Sequence, residues 1–284
     1  MARKKMTHYD YQEKVNEILH LIHSDIAAPL HVKDLAEHVS TSPFHFNRIF
    51  KQVMDEHLHG YIRRVRLESA ANLLLFNPTS SITEIAGSCG FASLATFTHA
   101  FKERFAVTPT QWREVDVDKD VHLRDIAPLD QTPVLVQVPP RRVAYVRHQG
   151  YDKSIQKPWS KLLYWAKEQG IKEPRVMVGL HHSNPRFVEK KKCHYVACLE
   201  VGKGYYRSGD IGVMIIPTMF CAKFHFEGKY GDLLRYMDSV YYRWLPQSDF
   251  EKINLPSFAL YHKNHFIEDD ERFVLDFYIP VRYR

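Results

Sequence analysis

Apolar positions recur at helical spacing up to about residue 113 and alternate beyond residue 132, so the two parts of the chain follow different periods. In the first part Val15, Ile18, Leu19 and Ile22 keep the i, i+3, i+4, i+7 spacing of an amphipathic helix that must end before Pro29. A second helix is expected from about Val32 to His38, with Leu35, Ala36 and Val39 inward. Ser42 reads as an N-cap and Pro43 as the first position of a third helix, running to about Met54. Its buried stripe is Phe46, Ile49, Phe50 and Val53, which leaves Phe44, Asn47, Arg48 and Lys51 on or near the opposite side. A longer helix is expected from Gly60 to Phe76, with Leu67, Ala70, Ala71 and Leu74 as its stripe and Pro78 as its stop.

The pattern then repeats. Leu35-Ala36, Ser42, Phe46, Phe50 and Lys51 recur as Ile85-Ala86, Ser93, Phe97, Phe101 and Lys102, about 50 residues on. Each copy has a short helix, a polar turn and a second helix with phenylalanines four apart. That is the layout of a helix-turn-helix unit, whose second helix enters the DNA major groove. The intervening helix, roughly 25 Å long at 1.5 Å per residue, suits units about one DNA turn apart, roughly 34 Å. Thr108-Pro109 through Arg113 reads as a short closing helix.

Residues 116–131 are polar and charged and read as a linker between a domain at 8–115 and another at 132–284. The second domain repeats internally at an offset of 78 to 80 residues: Val143–Gly150 matches Cys221–Gly228, Gly179–Asn184 matches Ala259–Asn264, and Tyr195–Val201 matches Phe273–Ile279. Each copy carries one amphipathic stripe, Trp159, Leu162, Leu163 and Ala166 in the first and Leu233, Met237, Tyr241 and Trp244 in the second. The expected fold is therefore multi-domain: an all-α double helix-turn-helix domain, then an α+β domain of two pseudo-twofold strand-helix-strand-strand repeats.

The 284 residues carry a net charge of +6. The 13 Lys+Arg and 12 Asp+Glu of residues 1–115 leave only +1 of it in the first domain, so phosphate binding must rest on a basic face. Arg3-Lys4-Lys5, Arg48 with Lys51, Arg63-Arg64 with Arg66, and Lys102 with Arg104 are the candidates. Four cysteines, Cys89, Cys193, Cys198 and Cys221, point to reduced thiols rather than a disulfide framework. No apolar run approaches the roughly 20 residues of a membrane span, and no apolar signal core follows the basic start. A cytoplasmic protein without a membrane partner is expected.

Gly90-Phe91-x-Ser93, Phe97, Phe101-Lys102, Phe105, Thr108-Pro109 and Trp112-Arg113, with Tyr61-Ile62-Arg63 and Arg66-Leu67 upstream, resemble the signature of the AraC/XylS family of transcriptional regulators over about residues 10–115. The resemblance implies two recognition helices and double-stranded promoter DNA and RNA polymerase as partners. Carried over, the base-facing positions are Phe44, Asn47 and Arg48 in the first helix and Ala95, Thr96 and His99 in the second. Arg48 can donate two hydrogen bonds to guanine, Asn47 can pair with adenine and Phe44 can meet a thymine methyl. Ala95 offers no hydrogen bond, so the second unit is expected to grip phosphates more than bases, through Thr98 and Lys102.

In the second domain Pro140-Arg141-Arg142-Val143-Ala144-Tyr145, Trp159, Leu162-Leu163, Tyr195-x-Ala197-Cys198-x-Glu200-Val201 and Phe277 through Val281 resemble the GyrI-like effector-binding domain. The combined order is similar to the Rob-type architecture. That family binds small molecules, often lipophilic cations, in a cleft between its halves. On strand alternation Val196, Cys198 and Glu200 share one face, as do Val274, Asp276 and Tyr278. Glu200, between Leu199 and Val201, is the expected charge partner of a cationic effector and Asp276 the second; Trp159, Tyr195 and Tyr278 are the expected walls. Two alternatives stand beside this: Glu200 paired internally with an arginine or lysine, and Trp159 as plain core. His181-His182 and Cys193-His194 have no ordered metal spacing. Neither metal nor cofactor is expected, and a regulator is favoured over a GyrI-like hydrolase or a protein-contact role for the second domain.

Overall fold

The computed structural model describes residues 8–114, 129, 131–172, 175–207 and 209–284. The expected linker at 116–131 and the basic cluster Arg3-Lys4-Lys5 lie almost wholly outside them.

Among the described residues seven helices build the first domain: α1 (His8–Ser24), α2 (Val32–His38), α3 (Pro43–Met54), α4 (Leu58–Phe76), α5 (Ile82–Ser88), α6 (Leu94–Phe105) and α7 (Pro109–Arg113). Their starts are set by the residues that suit them. Ser42 Oγ accepts the His45 amide at 3.4 Å, Ser93 Oγ accepts the Thr96 amide at 3.2 Å, and Ser81/Glu84 and Thr108/Gln111 form reciprocal capping boxes. The turns of the two units are also alike. Ser40 and Gly90, 50 residues apart, both have positive φ, 50° and 78°. At Gly90 a Cβ would lie 2.7 Å from the Arg66 guanidinium, which is anchored by the carbonyls of Ile26 (2.8 Å) and Ala28 (2.7 Å). α3 and α6 each end on a left-handed residue, Asp55 and Ala106.

Two apolar clusters fill this domain. α1, α2 and α3 close around Ile18, Phe46 and Phe50; α4, α5 and α6 close around Leu74, Phe97 and Phe101. Val65 on α4 packs against both, so the long helix is the shared wall that fixes one unit relative to the other.

The second domain is one antiparallel sheet. Its strands are β1 (Val134–Val138), β2 (Arg141–Gln149), β3 (Met177–His181), β4 (His194–Glu200), β5 (Gly212–Ile216), β6 (Met219–Lys229), β7 (Phe250–Lys252), β8 (Ser257–Lys263) and β9 (Arg272–Tyr283). The order is β1-β6-β9-β8-β3-β4-β2-β5, with β7 pairing β9. Two helices, α8 (Gln156–Glu168) and α9 (Asp232–Ser239), cover one face; a π-helical turn at Val240–Trp244 prolongs α9. Trp159, Leu162, Leu233 and Met237 from these helices bury against Ala144, Tyr195, Phe224 and Phe277. The opposite face has its own apolar layer: Val143, Tyr145, Leu180, Val196, Cys198, Met214, Phe258 and Tyr278. Both faces of β4 are thus covered, so Tyr195 to Leu199 are all buried and carry no alternation of hydrophobicity.

The domains dock through specific contacts. The Asn77 amide at the end of α4 pairs with the backbone of Lys252 in β7, donating to its carbonyl at 2.7 Å and accepting its N–H at 2.9 Å. Phe76 stacks on Tyr241 of the π-helical turn at 4.9 Å, and Phe187 packs on Phe105 and Trp112. α1 meets the second domain through Asn16, whose carbonyl accepts the Tyr145 hydroxyl at 3.4 Å.

Candidate functional site

α3 and α6 each turn one face inward through their phenylalanines and present the other to solvent. Phe44, Arg48 and Lys51 on α3 are exposed and Asn47 is half-buried; Thr96, His99 and Lys102 on α6 are exposed and Thr98 is half-buried. Phe44 is 83% exposed, which removes it from any packing role against its own helix. Arg48 leans on His45, Nη2 to Nδ1 at 3.2 Å, and neither Arg48, Lys51 nor Lys102 makes an ion pair among the described residues. Thr96 shares its hydroxyl with the Ser93 cap at 2.9 Å.

The rest of the expected basic face is used inside the domain. Arg63 is bound by Glu103, Arg64 by Glu56 (2.5 Å) and Glu68 (3.3 Å), Arg66 by backbone carbonyls, and Arg104 by Glu68 (3.6 Å). Burial pushes the Glu68 carboxyl up in pKa against the pull of Arg64. These arginines hold helices together, and the positive charge available to phosphate narrows to Arg48, Lys51 and Lys102 in this set.

The residues expected around an effector fall on two faces of the sheet. Trp159 and Tyr195 lie in the helix-covered core, where the indole N–H donates to the Tyr195 hydroxyl at 3.1 Å. Cys198 and Tyr278 lie in the opposite layer, Tyr278 stacked on Phe258 at 4.5 Å. Glu200 ends β4 half-exposed and is paired with Arg141 of the neighbouring strand at 2.5 Å. That is the internal pairing weighed from the sequence. Asp276 sits three strands away, bonded to His225 Nδ1 (2.8 Å) and facing His262 Nε2 (3.3 Å). The structure therefore brings Trp159 to Tyr195 but does not bring the two acids together. All four cysteines are free and buried, and burial raises the thiols, that of Cys193 to about 12.

A cleft of about 480 Å³ lies where α1 crosses the second apolar layer. Leu180, Met214, Ile216, Met219 and Phe258 form its apolar wall; His20, His23 and Ser24 of α1 form the lid, and Arg142 and Arg147 of β2 enter it. The Nε atoms of both arginines are enclosed without a hydrogen-bond partner among the described residues. Arg147 lies 4.9 Å over the Tyr145 ring and makes no ion pair among the described residues. Around it the imidazoles are held neutral. Desolvation, then the charge that His182 would carry and that of Arg147, lowers His23 well below the usual range; desolvation, then Arg64 and Arg147, puts His194 at about 3. His23 Nε2 lies 2.7 Å from the Tyr61 hydroxyl and its ring 4.5 Å from that of His182, so histidines of both domains meet in one cluster. The sequence hid this cleft because its parts lie on α1, β2, β3, β5, β6 and β8.

Residues 131–282, more than half of the chain, match the model of the GyrI-like small molecule binding domain. The chain belongs to this family. In front of the GyrI-like domain, residues 35–114 match the helix-turn-helix domain model. The helical domain is of the AraC type: it is 36% identical over 110 residues to the probable transcription factor PqrA of Proteus vulgaris, covering 38% of this chain and 89% of that protein. It is also 34% identical over 100 residues to the Msm operon regulatory protein of Streptococcus mutans, and 30% identical over 104 residues to the regulatory protein PocR of Salmonella typhimurium. These matches take in 35% and 37% of this chain, and the chain spans only about a third of the length of either relative, 36% and 34%. No described helix is long and apolar enough to cross a membrane.

Proposed function

We propose that this protein is a sequence-specific DNA-binding transcriptional regulator, an activator rather than an enzyme, whose GyrI-like domain senses a small molecule. One observation carries the reading: two equivalent, serine-capped helices present exposed side chains, Phe44, Arg48 and Lys51 on α3 and Thr96, His99 and Lys102 on α6, from one rigid helical domain. In this reading Arg48 and Asn47 read base edges, Phe44 meets a thymine methyl, and Thr98 and Lys102 hold phosphate. The duplication at 78 to 80 residues in the second domain supports a pseudo-twofold pair of repeats. Contact with RNA polymerase is part of the same proposal.

The effector seat that the geometry favours is the cleft beneath α1. Glu200 is held by Arg141 and Asp276 by its histidines, whereas the cleft has apolar walls, two arginines and no lining carboxylate. That chemistry favours an apolar molecule with a neutral or anionic end over the cation expected from the sequence. α1 forms part of both the cleft and the first helix-turn-helix unit, so a ligand there shifts the balance between arrangements of the two domains.

The test begins with duplexes selected from a random pool by the full chain. Arg48→Ala is expected to weaken binding to the selected site by about 10-fold or more, from roughly 1–3 kcal/mol per bidentate contact. Equal affinity of the variant and the wild type in a gel-shift titration would remove the proposed base readout.

A further inference from the structure

We propose that His225, His262 and Asp276 form a binding site for a divalent transition metal, of the zinc class, on the sheet face away from α8 and α9. The site is built by three adjacent strands. Asp276 of β9 is the direct Cα partner of His225 on β6, so their side chains stand on one face. On the other side β9 pairs with β8, and the register shifts between Tyr261 and Lys263, leaving His262 as the unpaired residue of a bulge. Such a bulge re-aims a side chain; here the His262 Nε2 stands 3.3 Å from Asp276 Oδ2.

The three donor atoms all lie within 4.8 Å of one another. Donors on a tetrahedral ion with bonds of about 2.1 Å are roughly 3.4 Å apart, so small side-chain rotations suffice to close the set. On binding, the two imidazoles release the protons they share with the carboxylate, and nitrogen lone pairs and a carboxylate oxygen face the ion. The outer partner of one ligand is already in place: Glu227 Oε1 lies 3.5 Å from His225 Nε2, the acceptor that fixes the tautomer of a histidine bound through Nδ1. Lys223 Nζ, 3.7 Å from Asp276 Oδ2, opposes the ion and moderates the affinity. Two imidazoles with one carboxylate select zinc, nickel or copper over magnesium or calcium. Both histidines are about half exposed, which leaves a fourth position open to water or an incoming donor.

The internal repeat supports a purposeful placement. At the same 78- to 80-residue offset, His225, His262 and Asp276 correspond to Arg147, His182 and Cys198 of the first repeat. The first copy substitutes a permanent cation for one ligand and a buried thiol for the acid, and Arg147 and His182 instead line the cleft beneath α1. The second copy keeps a complete ligand set. It sits beside the entry to the domain, where Gln131 Nε2 donates to the His225 carbonyl at 2.7 Å and Gln131 Oε1 accepts the His225 amide at 3.1 Å.

Isothermal titration of the full chain with Zn²⁺ at pH 7.5, beside His225→Gln, His262→Gln and Glu227→Gln, tests the assignment. The expected result is one tight Zn²⁺ per chain, weakened at least 10-fold by either histidine change and about 10-fold by loss of the outer carboxylate. Mg²⁺ is expected to give no heat at the same site. The histidines are half-exposed, so circular dichroism of the variants should match the wild type and keep the comparison clean. Zn²⁺ binding unchanged in both histidine variants, no binding at 1:1 stoichiometry, or preference for Mg²⁺ would each overturn the proposal. None of these readouts depends on DNA or effector binding.

Discussion

Replacing Asn77 with alanine is expected to loosen the docking of the two domains. Asn77 is 3% exposed, and its amide makes two hydrogen bonds to the backbone of Lys252, standing in for a strand neighbour that β7 lacks on that side. Alanine removes both bonds and leaves a buried N–H and a buried carbonyl. Each orphaned group costs about 1–3 kcal/mol, so the pair costs about 2–4 kcal/mol once partial access of water is allowed. A whole domain is stable by only about 5–15 kcal/mol. Nearby contacts soften the loss without replacing it: Ser80 and Thr79 donate to Glu251 at 3.2 and 3.4 Å, and Glu251 is held by Arg282 at 2.5 Å. Urea unfolding of a Trp112→Phe background, followed by circular dichroism for the helical domain and by tryptophan fluorescence for the GyrI-like domain, which carries Trp159, Trp165 and Trp244, should give coincident transitions when Asn77 is intact. In Asn77→Ala the transitions should separate, with the midpoint displaced to lower urea. A loss below about 1 kcal/mol with coincident transitions would refute the reasoning.

Four further outcomes are expected. On a selected duplex His99→Ala should change affinity less than Arg48→Ala, while Lys102→Ala should weaken all sequences alike and reduce the salt slope by about one; a sequence-dependent effect of Lys102 would reverse the roles. Stability should fall as pH drops below about 6.5, because burial holds His181 at about 3 and His265 at about 4 whereas the unfolded chain takes up those protons near 6.5. The loss approaches about 1.4 kcal/mol per pH unit for each histidine until its folded pKa is reached, and flat denaturant midpoints from pH 7 to 5 would exclude it. Ala106→Gly should stabilise the helical domain by about 1 kcal/mol, since Ala106 holds φ 63° at the end of α6 where glycine pays no steric penalty; an unchanged melting temperature would count against that strain. Finally, a ligand of the cleft should alter the footprint over the half-site of α3 more than over that of α6, and equal changes would argue against transmission through α1.

The helical half was legible because its signals are local. Helical spacing, the serine caps at Ser42 and Ser93 and the stop at Pro78 involve neighbours within a few residues, and the elements follow them closely. α4 begins two residues earlier than the spacing alone predicts, at Leu58, which is fully buried. The arginines were less legible, since whether Arg63, Arg64 and Arg66 face phosphate or hold Glu103, Glu68 and the Ile26 carbonyl depends on partners up to 40 residues away. In the GyrI-like half, β4 is covered on both faces, so its buried run reveals no preferred side. The partner of Glu200 follows from strand register: Glu200 pairs with Val143, which brings Arg141 of the same strand alongside. A register of that kind is not written in the spacing of either strand. The histidine and aspartate set was visible in principle, because the repeat alignment already matched His262 to His182, but a bulge and two strand pairings were needed to bring the side chains together.

In the proposed function, the position of α1 lets the two halves act as one switch. Its inward stripe, Val15, Ile18, Leu19 and Ile22, packs with Phe46 and Phe50, the buried face of α3. Its other side supplies His20, His23 and Ser24 to the cleft. A molecule in the cleft is therefore separated from α3 by the thickness of one helix, about 10 Å. α6 lies farther from the cleft, behind α4 and the second apolar cluster, and meets the second domain elsewhere, through Phe105 on Phe187. The same helix is tied to the GyrI-like domain by Arg207, which binds Glu17 at 2.6 Å and faces Glu13 at 3.8 Å. These are partly exposed ion pairs of small individual worth, and the other ties of α1 to the sheet are polar, the Tyr145 hydroxyl on the Asn16 carbonyl and the packing of His23 on His182, whereas the contacts of α1 with α3 are mostly buried and apolar. A ligand that lifts α1 from the sheet thus breaks the weaker set and carries α3 with it. In the proposed reading, the asymmetry of those two interfaces, rather than any long relay, couples the cleft to α3.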